Sequence, residues 1–316
     1  MNPFKSMGIG VLYRKEFADH LRSRRFSIIL FLIVVIGLSS IYSAGYGIRE
    51  AVSQENNDFA FLRLFTTSGG SLPSFVSFIS FLGPLIGLSL GFDIMNSERA
   101  RGTLGRLLAQ PIYRDTVING KFLAGVGILS LMIISLGLGV GGLGIIMIGI
   151  PPTFEEIMRI LIFIILTVIY ISLWFAVSLL FSLLFRQAAT SALAGIALWL
   201  FLSIFVGLLA GLIADGLYPV DDQSTFEVAF ENQKVKQYLN RISPSKLYDE
   251  AIVTILNPGV RTLGPVFTSQ LEGAIPGVLP LSQSMLLIWP HIVTMIAMTM
   301  ICFAISYIYF MKQEIR

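Results

Sequence analysis

Six long apolar stretches without a charged residue restrict this chain to a membrane-spanning fold. A helix needs about 20 apolar residues to cross the hydrocarbon layer of a bilayer, and a charge at mid-membrane would cost about 2.5–3.5 kcal/mol. Strands of a membrane barrel would instead be about ten residues long and would alternate between apolar and polar residues. We therefore predict an all-α integral membrane protein with six transmembrane helices. The predicted spans cover residues 27–48, 72–92, 122–150, 160–184, 189–213 and 286–311.

Composition excludes the classes of protein that fold in water. Of the 316 residues, 55% are apolar and 13% are charged, and the mean hydropathy is +0.79. Soluble domains carry about 25% charged residues, so a soluble enzyme, a nucleic-acid-binding module and a disordered regulator are excluded. The single cysteine, Cys302, allows no disulfide within the chain. His20 and His291 are far apart, and the sequence contains no cluster of metal ligands, so no metal is expected.

Basic residues are concentrated on one side of the predicted membrane. With the N-terminus inside, the cytoplasmic segments contain 14 Lys and Arg, whereas the two short outer loops contain three. Because positive charge is retained on the cytoplasmic side during insertion, both termini are predicted to lie in the cytoplasm. The cytoplasmic segments in this topology are residues 1–26, 93–121, 185–188 and 312–316.

The longest polar segment, residues 214–285, separates the fifth and sixth spans. It contains two helix-like stretches, 226–241 and 243–257. The second begins at Ser243-Pro244, where serine can cap a helix and proline suits its first position. We predict a small helical cap on the extracytoplasmic side, which offers a surface to an extracytoplasmic partner.

An amphipathic helix is predicted before the first span, over residues 8–22. Leu12, Phe17 and Leu21 fall on one apolar stripe at helical spacing, and basic residues occupy the remaining faces. A basic amphipathic helix next to a span lies in the membrane interface. The pattern leaves open whether this helix only anchors the chain or also contacts a cytoplasmic partner.

These predictions divide the chain into four parts. The parts are a cytoplasmic amphipathic helix (1–25), spans 1–5 with a cytoplasmic loop at 93–121 (26–213), an extracytoplasmic cap (214–285), and span 6 with a cytoplasmic tail (286–316).

The loop at residues 93–121 is the one sizeable cytoplasmic loop of this topology. Leu104, Leu107 and Leu108 form an apolar edge, and Pro111 ends the helix because the residue before a proline is driven away from helical geometry. This pattern predicts a short amphipathic helix that projects from the membrane between spans 2 and 3. The alternative is a solvated connector, although exposed leucines need a surface on which to pack.

The same loop resembles that of permease subunits of ABC-2 type ABC exporters, and most of all the branch of the nitrous-oxide-reductase maturation permeases. The six spans, the helix before span 1 and the long loop before span 6 also fit this family. The resemblance implies a subunit in a prokaryotic cell membrane. The residues that carry it are Glu98, Gly102, Thr103, Leu104, Leu107, Leu108, Pro111, Arg114, Gly120 and Lys121.

What the resemblance implies for function is specific. Residues 97–110 would form a coupling helix that docks on a separate cytoplasmic ABC ATPase, present in two copies, which binds ATP and Mg²⁺. A second permease copy or a paralogue would complete the export pathway as a dimer. No cofactor is expected in this chain, and no nucleic acid is expected as a partner. The coupling residues would be Glu98, Gly102, Thr103, Leu104, Leu107, Leu108, Pro111 and Arg114.

The sequence provides no energy source within the chain. Its only Gly-Lys pair, Gly120-Lys121, is followed by Phe122 rather than by Ser or Thr, so it does not form an ATP-binding P-loop. The predicted spans contain no carboxylate of the kind that ion-coupled transporters use as a relay. We therefore expect no enzymatic activity in this chain and an energy supply from a partner. The alternatives are a passive channel or an ion-coupled transporter, and then a membrane-embedded enzyme.

Small and polar residues recur at helical spacing in spans 2 and 5. Such seams allow helices to approach closely in lipid, and they can also line a pathway; the pattern does not separate these two uses. Because the seams carry hydroxyl groups but no charge, a pathway along them would suit an apolar, amphipathic or neutral substrate. The candidate residues are Ser77, Ser80, Pro84 and Gly87 in span 2, and Ser191, Gly195 and Ser203 in span 5.

Overall fold

The protein is built from helices. The computed structural model describes residues 3–52, 59–67, 73–103, 105, 113–149, 151–221, 224–263 and 278–313. Within these ranges all regular elements are helical, and six helices are long and apolar enough to cross a membrane. The prediction of an all-α protein with six spans is therefore confirmed.

The spans are labelled here in chain order. They are span 1 (α2, Arg24–Val52), span 2 (α4, Phe75–Gly91), span 3 (α6, Arg114–Ile148), span 4 (α7, Phe154–Leu184), span 5 (α8, Ala188–Leu200, with α9, Val206–Leu217) and span 6 (α12, Leu281–Lys312). The shorter or flanking helices are α1 (Pro3–Arg22), α3 (Ala60–Thr66), α5 (Asn96–Ala100), α10 (Phe226–Asn240) and α11 (Pro244–Leu256).

Spans 3 and 4 begin earlier than their apolar windows predict, at Arg114 and Phe154 rather than at 122 and 160. The start of span 4 is fixed by a capping box. The backbone N–H of Glu156 donates to Thr153 Oγ1 at 3.3 Å, and the backbone N–H of Thr153 donates to the Glu156 carboxylate at 2.8 Å. Because this arrangement satisfies amide groups at the helix start, the helix extends beyond its apolar part.

Span 4 is the central helix of the bundle. It packs against spans 2, 3 and 6 and against α11, and it buries the large side chains of Tyr170, Trp174 and Phe175. Span 2 approaches it closely at Gly87, where an added Cβ would lie 2.6 Å from the carbonyl oxygen of Ile171. The two helices therefore meet backbone to backbone at a point where only glycine fits.

This contact predicts that Gly87→Ala destabilises the protein. Its methyl group would force spans 2 and 4 apart, and overpacking of this kind costs about 1–3 kcal/mol. Gly139→Ala in span 3 is the matched control, because no atom lies within 4 Å of an added Cβ there. Thermal unfolding in mild detergent should show a lower midpoint for Gly87→Ala alone. Equal midpoints for the two variants would contradict the close approach.

The N-terminal helix α1 packs against the start of span 3. Leu12 is 4% exposed, and an added Cβ on Gly120 would lie 2.8 Å from its Cδ2 atom. Phe17 is partly buried against the same core, whereas Leu21 is 40% exposed. Part of the predicted apolar stripe is thus covered by protein, and the location of α1 at a membrane interface stays a prediction.

The two helices in the 214–285 segment contact the spans. Helix α10 packs along α9, and α11 packs against spans 4 and 6. On α11, Tyr248 is fully buried, and its ring stacks on that of Tyr170 with the centroids 4.3 Å apart. Since Tyr170 lies near the middle of span 4, α11 reaches well into the bundle. Ser243 precedes α11 without capping it through its side chain, and the extracytoplasmic location of the segment stays a prediction.

A fully buried arginine joins three segments near the start of span 4. The guanidinium of Arg159 donates to Glu155 Oε1 at 2.8 Å, to the carbonyl of Ile255 at 2.8 Å and to the carbonyl of Leu279 at 2.6 Å. These bonds connect span 4 to the end of α11 and to the residues before span 6. Arg159 lies just before the apolar window predicted for span 4, and the structure includes it in the helix, which begins at Phe154.

Candidate coupling loop and cavity

A buried lysine links the 93–121 loop to α1. Lys121 Nζ lies 3.0 Å from Glu16 Oε2 on α1 and 2.7 Å from Glu98 Oε1 on α5, and its side chain is 2% exposed. Glu16 also receives a hydrogen bond from Lys15 at 2.9 Å. One cation therefore holds two carboxylates from separate helices at the start of span 3.

In the cluster formed by Lys121, Glu16, Lys15 and Glu98, the neighbouring ammonium groups favour the ionised form of the Glu16 carboxyl. Burial alone would raise the pKa of the Glu16 carboxyl, but the nearby ammonium groups of Lys121 and Lys15 outweigh it, so the pKa lies below its usual value. The depressed pKa means that Glu16 stabilises the folded protein at neutral pH and loses this contribution as the pH falls through its folded-state pKa. The cluster is thus most stabilising when all its members are ionised.

We predict that Lys121→Met lowers the free energy of unfolding by about 3–5 kcal/mol at pH 7, because it leaves buried carboxylates without a partner. Without Lys121, burial favours the protonated form of Glu16, so the difference from wild type should shrink between pH 7 and pH 5. Chemical unfolding in mild detergent at the two pH values measures both effects.

The control for this prediction is Lys234→Met. Lys234 pairs with Glu231 at 3.1 Å, and its side chain is 44% exposed. Removal of an exposed pair of this kind should cost less than about 1 kcal/mol at either pH. A Lys121→Met variant as stable as this control would contradict the role of the cluster.

Two arginines attach the same loop to the ends of spans 4 and 6. Arg99 donates to the carbonyl of Leu183 at 3.1 Å and to Gln313 Oε1 at 2.5 Å. Arg114 donates to the carbonyl of Gln313 at 3.0 Å. The hydroxyl oxygen of Ser182 accepts the backbone N–H of Met95 at 3.0 Å. The loop is thereby fixed to the ends of both helices.

The predicted coupling residues fall into three groups. Glu98 and Arg114 belong to the contacts just described. Gly102 follows α5 with a φ of 65°, a left-handed conformation that favours glycine, and Thr103 is exposed with its hydroxyl donating to the carbonyl of Glu98 at 3.2 Å. Outside the described residues lie Leu104, Leu107, Leu108 and Pro111.

A polar cleft of about 630 Å³ opens between α1 and the 93–121 loop. It is lined by basic and acidic side chains, among them Lys15, Arg24 and Arg101 together with Asp19 and Asp93. Charged groups that face a shared cleft are available to a polar partner segment. The cleft therefore places α1 and the loop on one candidate docking surface.

A second cavity, of about 530 Å³, lies between spans 2 and 5 and α11. Ser77 and Ser80 from span 2 and Ser203 from span 5 line it, so three candidate pathway residues share one space. Helix α11 adds Ser245 and Asp249. Several hydroxyl groups thus line one cavity, which is partly open to the outside of the bundle.

Hydrogen bonds fix the wall of this cavity. The Tyr170 hydroxyl lies 2.9 Å from the carbonyl of Ser80 and 2.9 Å from Ser245 Oγ. Ser245 Oγ lies 3.3 Å from Ser203 Oγ.

The sequence analysis missed Ser245 and Asp249 because α11 was expected to stay outside the bundle. The fully buried residues Tyr248, Ala251, Ile252 and Ile255 recur at helical spacing and were the available signal.

The other candidate pathway residues are packed between helices. Pro84 and Gly87 are buried in span 2, where Gly87 contacts span 4. In span 5, Ser191 is 1% exposed, and an added Cβ on Gly195 would lie 2.8 Å from Leu88 Cδ2. Gly87 and Gly195 thus lie at close helix contacts, and Pro84 and Ser191 are buried.

Span 5 is interrupted by a π-helical turn over Phe201–Phe205. This turn contains Ser203, which is the span 5 residue that lines the cavity. Single π-helical turns within α-helices are frequent at functional sites. The π-helical turn of span 5 thus lies beside the polar residues of the cavity.

Asp249 is the one carboxylate among the residues that line this cavity. Burial raises the pKa of its carboxyl, and a hydrogen bond with Ser80 opposes the shift. Within the described ranges, no group of three or more His, Cys, Asp or Glu side chains could hold a metal ion. The polar groups of the cavity are thus suited to hydrogen bonding and charge pairing.

A bundle of six apolar helices with a polar cavity between them is the architecture of a multi-pass membrane transport protein. The family is shown by the sequence comparison: residues 11–315 match the model of the ABC-2 family transporter protein, and the chain belongs to this family. The resemblance identified in the 93–121 loop is therefore confirmed.

Two curated relatives carry the name "Probable ABC transporter permease protein NosY". The relative from Stutzerimonas stutzeri is 31% identical over 134 residues, which cover 42% of this chain and 43% of the relative. The relative from Pseudomonas aeruginosa is 33% identical over 138 residues, which cover 44% and 46%. The chain thus matches less than half the length of these relatives.

Proposed function

We propose that this chain is the membrane permease subunit of an ATP-driven ABC exporter, and that it forms the translocation pathway as a dimer. Separate cytoplasmic ATPase subunits would bind ATP and Mg²⁺ and act on the permease through residues 97–110. The family match and the names of the relatives support a permease. The observation that carries the coupling is the set of buried polar contacts that join the 93–121 loop to α1 and to spans 4 and 6.

These contacts attach the 93–121 loop to α1 and to several spans. Spans 2 and 3 leave the loop directly, Lys121 joins it to α1, and Arg99 and Arg114 join it to the ends of spans 4 and 6. Because the separation of buried, oppositely charged groups is costly, displacement of the loop would move these elements together. Closure of the ATPases could thus shift the helices between two arrangements.

Spans 5 and 6 carry exposed apolar side chains that lipid or a second permease can cover. Leu208 and Leu212 of span 5 and Leu286 of span 6 are 60%, 70% and 76% exposed. Apolar faces of this kind need a hydrocarbon or protein neighbour. A second copy or a paralogue on such a face would complete the pathway, and the polar cleft beside α1 would receive the ATPase.

We predict that the permease purified in mild detergent with its genomic neighbours carries a stoichiometric Walker-motif ATPase, and that Leu104→Asp combined with Leu107→Asp removes it. Two charges would disrupt an apolar docking surface. Affinity purification followed by mass spectrometry measures the ratio of the two proteins.

The matched control is Val220→Asp, which introduces a charge at an exposed residue beyond the far end of span 5. This variant should retain the ATPase. If the wild-type permease elutes alone in several detergents, the ATP-driven proposal fails and a passive or ion-coupled transporter becomes the better explanation.

A further inference from the structure

The inference concerns the chemical class of ligand that the cavity between spans 2 and 5 and α11 accepts. The sequence predicted an uncharged pathway, but α11 brings the carboxylate of Asp249 to the same space as Ser77 and Ser80. The cavity therefore has an acidic group in a position that the apolar windows of the spans do not reveal.

Asp249 is not matched by a cation of the protein. Its neighbour Glu250 forms an ion pair with Arg241 and a hydrogen bond with His291 Nε2, each at 2.8 Å. Within the described part of the chain, Asp249 makes no such ion pair, although the charge of Lys246 acts on it. A partly buried carboxylate that has a hydrogen bond but no ion pair gains stability when a cationic ligand supplies the opposite charge.

Part of the cavity wall is aromatic. Phe81 and Trp199 form an edge-to-face pair with ring centroids 5.2 Å apart, and both line the cavity. Aromatic faces attract organic cations and also cover apolar ligand surface. The wall thus complements a ligand that has both a positive charge and an apolar body.

We propose that this cavity binds an amphipathic organic amine, with its ammonium group at Asp249 and the surrounding hydroxyls and its apolar body against Phe81 and Trp199. The cavity volume of about 530 Å³ lies in the range of about 300–1,000 Å³ that holds small organic ligands. This inference rests on the proposed function, since it names the substrate class of the proposed permease.

The test uses dansylcadaverine, a fluorescent primary amine with an apolar ring system, and its neutral N-acetyl derivative. Fluorescence titration of the full-length permease, reconstituted with its ATPase in lipid nanodiscs, should show tighter binding of the amine. Asp249→Asn should weaken amine binding roughly tenfold or more, as expected for loss of a charged hydrogen-bond partner, and should leave binding of the acetylated probe unchanged.

Two further variants distinguish the loss of the Asp249 charge from a general loss of folding. Asp249→Glu should restore preference for the amine, and Asp221→Asn, at an exposed turn after span 5, should bind both probes as wild type does. Equal binding of the two probes by wild type, no binding of either, or unchanged amine affinity in a folded Asp249→Asn protein would each overturn the ligand class.

The ATPase content of the same nanodiscs distinguishes the two proposals. If the ATPase is present and the preference for the amine is absent, the ligand class is wrong and the proposed permease function stands. If no ATPase assembles with the permease, the proposed function fails, whatever the probes show.

Discussion

The buried guanidinium of Arg159 determines where the helix that completes the cavity can lie. A charge removed from water is tolerated only when its donors are satisfied, and Arg159 meets this condition with a carboxylate and two backbone carbonyls. Those carbonyls belong to the end of α11 and to the segment before span 6. The position of α11, and with it the positions of Ser245 and Asp249, therefore depends on this side chain.

The opposite end of the bundle uses the same principle with a different cation. Lys121 joins three elements through two carboxylates, as Arg159 joins three through one carboxylate and two carbonyls. Between the two cations, contact between helices depends on small residues such as Gly87. Buried charges thus fix the ends of the bundle, and close backbone contact fixes its middle.

The number and type of spans were predictable because a hydrocarbon layer imposes length and polarity on any helix that crosses it. The depth of α11 was not predicted, because Lys246, Asp249 and Glu250 give the segment a polar composition. Arg159 fell outside the predicted window of span 4 because a charge ends an apolar stretch in the sequence. In the folded protein the same charge has partners that are distant in the chain. Helical spacing placed Ser77, Ser80 and Ser203 correctly in spans, but it could not distinguish the cavity from the helix interface.

The π-helical turn at Phe201–Phe205 changes the face that the second half of span 5 presents to its neighbours. An α-helix turns by about 100° per residue, so one additional residue in a turn changes the direction in which all later side chains point. Before the turn, Gly195 lies close to Leu88 of span 2 and Trp199 already lines the cavity; within the turn, Ser203 lines it as well. The side chains of α9 are consequently rotated about the helix axis relative to those of α8, and this offset begins beside the cavity.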